Sequence, residues 1–182
     1  ASSDPKSSSR TSPVQPASAT PVDTSTPPSP EPPTDTATPP PSSTEPPTVE
    51  RMSTLYPNAP IFGGSIDSLD MVQGAVGDCF FIGAASALAC STAQKMNPIG
   101  RLFVASDTKL GIYALVFFKN GGWEWVIVDD YIATNGTNPL YACAPNNSEL
   151  WPMILEKAYA KVHYCWDTID GGWGREALAD MT

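Results

Sequence analysis

The chain has little with which to hold a proton, a nucleic acid or a membrane. Its 182 residues include one histidine, His163, and 10 Lys+Arg against 19 Asp+Glu, for a net charge of -9. With no basic cluster, a nucleic-acid or anionic-membrane surface is excluded. The longest uncharged apolar run, Cys79 to Ala89, is too short to span a bilayer, so no transmembrane segment is expected. No secretory signal is visible after Ala1. The 4 cysteines, at 79, 90, 143 and 165, form no Cys-x-x-Cys pair. That usage predicts a reduced, intracellular, cytoplasmic protein rather than a disulfide-stapled one. Cys90, Cys143 and Cys165 then read as small apolar side chains. One histidine at these spacings cannot support a zinc site.

Proline is unevenly spread. Residues 1–50 hold 14 of the 20 prolines, with abundant Ser and Thr and neither an aromatic residue nor a cysteine. Such a stretch cannot bury enough apolar surface to offset its ordering entropy, so residues 1–54 are expected to form a disordered linker. Its Thr-Pro-Pro and Pro-Pro-Pro steps favour an extended, semi-rigid spacer, with docking to SH3-like domains as the alternative. Residues 55–182 remain for folding, about enough for one core and one domain.

Within that part, Leu55 to Val72 reads as irregular chain. A helix is expected from Cys79 to Thr92, apolar on every face and therefore buried, ending before Asn97-Pro98. Ile112 to Phe118 and Trp123 to Val128 flank Asn120-Gly121-Gly122, a hairpin signal. Ser148 is placed to cap a second long helix running to Tyr164, with Pro152 in its first turn. A short helix near Arg175 to Ala179 closes the chain. Helices and an antiparallel hairpin in separate blocks make the class α+β.

The chemistry concentrates in Gln73-Gly74-Ala75-Val76-Gly77-Asp78-Cys79-Phe80-Phe81. Cys79 opens the apolar helix, where free backbone N–H groups and the positive dipole end favour thiolate. Gln73 could donate its side-chain amide to a developing oxyanion beside the Cys79 N–H. The competing readings are an inert buried thiol and a polar loop residue.

This segment resembles the nucleophile segment of the calpain family of papain-like cysteine proteases, which reads Gln-Gly-x-x-Gly-Asp-Cys, an aromatic residue and an Ala-rich helix. Phe80 stands where the family usually has Trp. Ser148-Glu149-Leu150-Trp151 with Leu155-Glu156-Lys157-Ala158-Tyr159-Ala160-Lys161-Val162 is similar to the family's Glu-x-Trp…Leu-Glu-Lys-Ala-Tyr-Ala-Lys helix. Gly122-Trp123-Glu124-Trp125-Val126 leading to Asp129-Asp130, and Gly171-Gly172 before Glu176-Ala177-Leu178-Ala179-Asp180, resemble its intervening and following stretches. Together the blocks span residues 56–182 in family order.

The resemblance implies the N-terminal, cysteine-bearing lobe of a papain-like fold, with Cys79 as nucleophile and Gln73 as the side-chain half of an oxyanion hole. A thiolate also needs a base and the base an orienter. His163 ends the second long helix and reads as a solvated or dipole-complementing residue, not the base. In papain-like enzymes the histidine lies beyond about residue 209 in this numbering. The expected protein is thus a fragment lacking the His/Asn lobe, inactive alone. The family also implies a regulatory calcium ion (Ca2+) held by Asp70, Glu149 and carbonyls of Phe62-Gly63-Gly64, Gly64 included. One extra residue stands between Gly64 and Asp70. Two carboxylates plus carbonyls suit a hard cation. Two functions follow. One is a calcium-dependent cysteine endopeptidase making limited cuts in intracellular protein substrates. The other is an inactive calpain-like module binding calcium or partners.

Overall fold

The computed structural model describes residues 47–90, 97–136 and 138–182. The expected linker up to residue 46 and the expected helix end at Thr92 lie outside them. Within the expected linker, residues 48–54 carry regular structure. Strand β1 (Thr48–Arg51) pairs antiparallel with β5 (Tyr131–Thr134), and the short helix α1 (Met52–Leu55) buries Met52 completely. The Arg51 Nε donates to the buried Asp130 carboxylate at 2.8 Å, and Ser53 adds a second bond to it. A charge so enclosed requires such partners, so they fix where β1 docks.

Helix α2 (Cys79–Ala89) starts at the predicted residue. It is not buried all round. Phe81, Ala84, Ala85 and Ala89 point inward, whereas Cys79, Gly83, Ala87 and Cys90 form an exposed stripe of small residues along the opposite face. Asn97-Pro98 does not merely end a region. The Asn97 side chain accepts from the Ile99 N–H and caps α3 (Pro98–Leu102), with proline where its missing donor costs nothing.

The predicted hairpin is present as β3 (Ile112–Lys119) and β4 (Gly122–Asp129), joined by Asn120 and Gly121, both at positive φ. Two consecutive positive φ values match the right-handed twist of the strands, and glycine and asparagine tolerate them best. Strand β2 (Phe103–Asp107) adds antiparallel to β3, giving the order β2-β3-β4. Tyr113, Leu115, Phe117, Val126 and Val128 face inward by the period of two. Helix α4 (Trp151–Val162) lies against β3 and β4, and α5 (Gly174–Met181) against α2 and β3.

Ser148 does not cap α4; Leu150 holds that position. The free N–H groups of Leu150 and Trp151 are instead taken by the carbonyls of Pro60 and Ile61 at 3.0 Å each. The irregular segment after α1 is thereby pinned to the start of α4. The core centres on Tyr159, which stacks on Phe81 at 4.1 Å and meets Phe117 edge-on at 5.8 Å. Such ring pairs add about 0.5–1.5 kcal/mol each beyond burial. Among the described residues, no helix is long and apolar enough to cross a membrane.

Candidate active site

The loop entering α2 is held from two sides. Val72 and Cys143 exchange backbone hydrogen bonds, and the Ala75 N–H donates to the Leu140 carbonyl at 2.9 Å. A Cβ on Gly74 would fall 2.3 Å from the Tyr141 backbone, so only glycine permits this approach. On the far side, the Gly77 N–H donates to Asp170 Oδ1 at 3.0 Å, and its carbonyl accepts from Gly171 at 3.0 Å. The loop therefore delivers the start of α2 in one fixed orientation.

Asp78 is the helix N-cap, yet its side chain makes no capping bond. Its carbonyl accepts from Phe81 and Ile82, while the carboxyl turns into the interior. Cys79 follows as the first helical residue, with an exposed, free thiol. Its N–H has no intrahelical acceptor, so a developing anion beside the sulfur would meet that donor and the positive helix end. Gln73 is exposed on the same loop, but its amide donates to the Val76 carbonyl at 2.8 Å. The amide carries a second hydrogen for another acceptor. Cys90 and Cys165, expected as small apolar side chains, are also exposed free thiols, and Cys143 is half-buried.

His163 is neither at this loop nor freely solvated. Its Nε2 lies 3.0 Å from Asp180 Oδ2, the Lys119 ammonium sits 3.1 Å away, and its ring packs at 4.3 Å on Tyr159. Burial, then the Lys119 charge, hold it below the ordinary histidine range. A ring so occupied ties α4 to α5 and β3.

Glu149, just before α4, is buried, with Oε2 lacking a hydrogen-bond partner. Burial raises its pKa and the nearby Asp70 charge adds to that, against a bond from the Gly63 backbone. A Cβ on Gly63 would stand 2.6 Å from Glu149 Oε1, so this loop can press its backbone on the carboxylate only as glycine. Asp70 accepts from the Asp67 N–H at 2.7 Å, and Gly64 faces open space at positive φ. An orphaned buried oxygen beside a second carboxylate and free carbonyls is a donor set that fits a hard cation. Among the described residues no cluster of three or more His, Cys, Asp or Glu could hold a metal, so backbone oxygens would have to supply the rest.

Sequence reasoning missed the inside of the site. Asp78 and Glu156 are both wholly buried. Their carboxyls approach each other with no donor among the described residues reaching Asp78 Oδ1, Asp78 Oδ2 or Glu156 Oε1, and Glu156 Oε2 accepts from the Ala142 N–H at 2.9 Å. Burial is the main cause that pushes both upward, Asp78 to about 6 and Glu156 to about 9, which favours a protonated carboxyl in the pair. A signal existed: Glu156 lies three and four residues from Met153, Pro152 and Ala160, on a face of α4 that is otherwise apolar.

Residues 32–182 match the family described as calpain family cysteine protease. The chain is 37% identical over 124 residues to "Calpain-type cysteine protease DEK1" of Zea mays, covering 67% of this chain and 6% of that protein. It is 34% identical over 152 residues to "Calpain-5" of Mus musculus, covering 76% and 23%. Against "Calpain-2 catalytic subunit" of Homo sapiens it is 33% identical over 124 residues, covering 67% and 17%. The chain thus spans less than a quarter of the length of these curated relatives.

Proposed function

Because the chain belongs to the calpain family of cysteine proteases, we propose that it contributes the nucleophile and oxyanion hole of a cysteine endopeptidase making limited cuts in intracellular proteins. The observation that carries this reading is Cys79: an exposed thiol on the first residue of a helix whose entry loop is fixed on both sides. Cys79 Sγ attacks the scissile carbonyl carbon, and its own N–H with the Gln73 amide receives the oxyanion. The Gln73 amide gives one hydrogen to Val76, which leaves its second hydrogen for an incoming oxygen. By the size of comparable side-chain donors, Gln73 is worth about 3–4 kcal/mol of transition-state stabilisation.

His163 is engaged by Lys119 and Asp180, so the general base and the acid that protonates the leaving amine come from outside residues 1–182. The chain alone should therefore hydrolyse no peptide above a Cys79→Ala control, whereas addition of a family His/Asn lobe should give Cys79-dependent hydrolysis. Turnover by the chain alone would contradict this assignment of the base.

Calcium regulation is part of the same reading. Asp70 and Glu149, with carbonyls of the Phe62–Gly64 loop, would hold the ion, which would neutralise two carboxylates that otherwise repel. Calcium should raise the melting temperature, by mass action about 2.7 kcal/mol of stability at a hundredfold excess over Kd. Magnesium should act less, since it gives up its water shell reluctantly. The double change Asp70→Asn, Glu149→Gln should abolish the shift, and a shift that survives it would move the ion elsewhere.

A further inference from the structure

We infer that Glu156 and Asp78 are positioning residues: one proton shared between their buried carboxyls locks the first turn of α2 to the loop that carries Gln73. The inference rests on the reading of Cys79 and Gln73 as the reacting groups, and it adds how the two are held in register.

The geometry is a closed circuit. Asp78 is the N-cap of α2 and the covalent neighbour of Cys79. Among the described residues no donor reaches either carboxylate oxygen of Asp78 or Oε1 of Glu156. Two ionised carboxylates cannot bond to each other, so their contact requires one to carry the proton and donate. The other Glu156 oxygen accepts from Ala142, in the segment whose Leu140 and Cys143 bond Ala75 and Val72 on either side of Gln73. Glu156 thus connects the nucleophile's cap to the 140–143 segment, which in turn brackets the loop that carries Gln73.

Electrostatics around the pair favour keeping the proton. Asp170 reaches Asp78 from the Gly77 side, and Tyr141, Cys143 and Tyr159 face the pair from the flanking loop and from α4. None of these is a cation. Lys157, the next residue along α4, directs its ammonium to Asp129 and the Tyr131 carbonyl instead. With no positive charge among the described residues facing the pair, loss of the proton would leave two buried like charges and open the circuit.

The test is made on the 182-residue chain, with two readouts. Infrared spectroscopy at pH 7 should show the C=O stretch of a protonated carboxyl in the parent and in Cys79→Ala, and lose it in Glu156→Gln. Alkylation by iodoacetamide, resolved by mass spectrometry, gives the rate of Cys79 relative to Cys90 in the same molecule. That ratio should fall in the parent as pH passes the alkaline limit of the pair. In Glu156→Gln, which can still donate to Asp78 and accept from Ala142, the neutral-pH ratio should be kept and the alkaline fall should shrink to the part caused by ionisation of Cys90 itself. In folded Glu156→Ala the ratio should drop about tenfold, the rate equivalent of one lost buried hydrogen bond. Absence of the infrared band in the parent, or an alkaline fall unchanged in Glu156→Gln, would overturn the inference even if the alanine variant does not fold. A Cys79 slower than Cys90 in the parent with the band intact would instead sink the nucleophile reading and leave the shared proton standing.

Discussion

Midway along α4, Glu156 meets Asp78 with no cation among the described residues facing them; at the end of the same helix, His163 and Tyr159 meet Asp180 and Lys119. In the first cluster like groups are enclosed, and only a retained proton keeps them compatible. In the second, opposite charges lie 3.2 Å apart and each polar group has a partner. The first cluster backs onto the loop of Cys79; the second joins the sheet to α5. Their pH responses oppose each other. Glu156 has a folded-state pKa raised above its unfolded value, so its contribution is full in acid and is lost as pH rises toward about 9. His163 is held low, so the folded state prefers it neutral, and that contribution is lost as pH falls through its range.

The largest effect should come from Glu156→Leu. It removes the acceptor of the Ala142 N–H and the donor to Asp78, and breaking a buried polar pair on one side costs about 3–5 kcal/mol. Urea unfolding at pH 7 checks this, and a loss below 1 kcal/mol on the order expected for a surface change would mean the pair is not enclosed. Asp180→Asn should cost less, about 1–2 kcal/mol, because Lys119 and His163 keep partial access to water. It should also lower the His163 pKa further, by removing the Asp180 charge that accepts from the ring while Lys119 stays; with one histidine in the chain, its NMR titration is read without assignment. An unchanged titration would dissolve the second cluster. Smallest is the slope: Glu156→Gln should flatten the fall in stability between neutral and alkaline pH, by up to about 1.4 kcal/mol per pH unit for one proton. A parental slope in that variant would assign the alkaline loss to other groups.

What the sequence made legible was local. Gly77-Asp78-Cys79 before an apolar run located the start of α2 to the residue, because a helix start has a chemical signature. Asn120-Gly121 located the hairpin for the same reason. Strand β1 was hidden: Thr48 to Arg51 follows a Pro-rich stretch, and its partners Tyr131 to Thr134 are far along the chain. The start of α4 was misread because backbone carbonyls of Pro60 and Ile61 replaced a side-chain cap, and no sequence pattern announces that. Both faces of α2 looked alike in composition, since Gly83, Ala84, Ala85 and Ala87 are all small; only packing divides the exposed from the buried. The Asp78–Glu156 pair joins residues that were each part of a recognised segment, yet nothing linear indicated that they meet.

The most direct measurement is the pH-resolved alkylation of all four thiols in the folded chain. Cys79, Cys90 and Cys165 are all exposed, so accessibility does not separate them, and Cys143 is half-buried with burial, then the Glu156 charge, pushing its thiol up. If helix-start placement activates the nucleophile, Cys79 should react first. Faster labelling of Cys90 or Cys165 under native conditions would contradict the account.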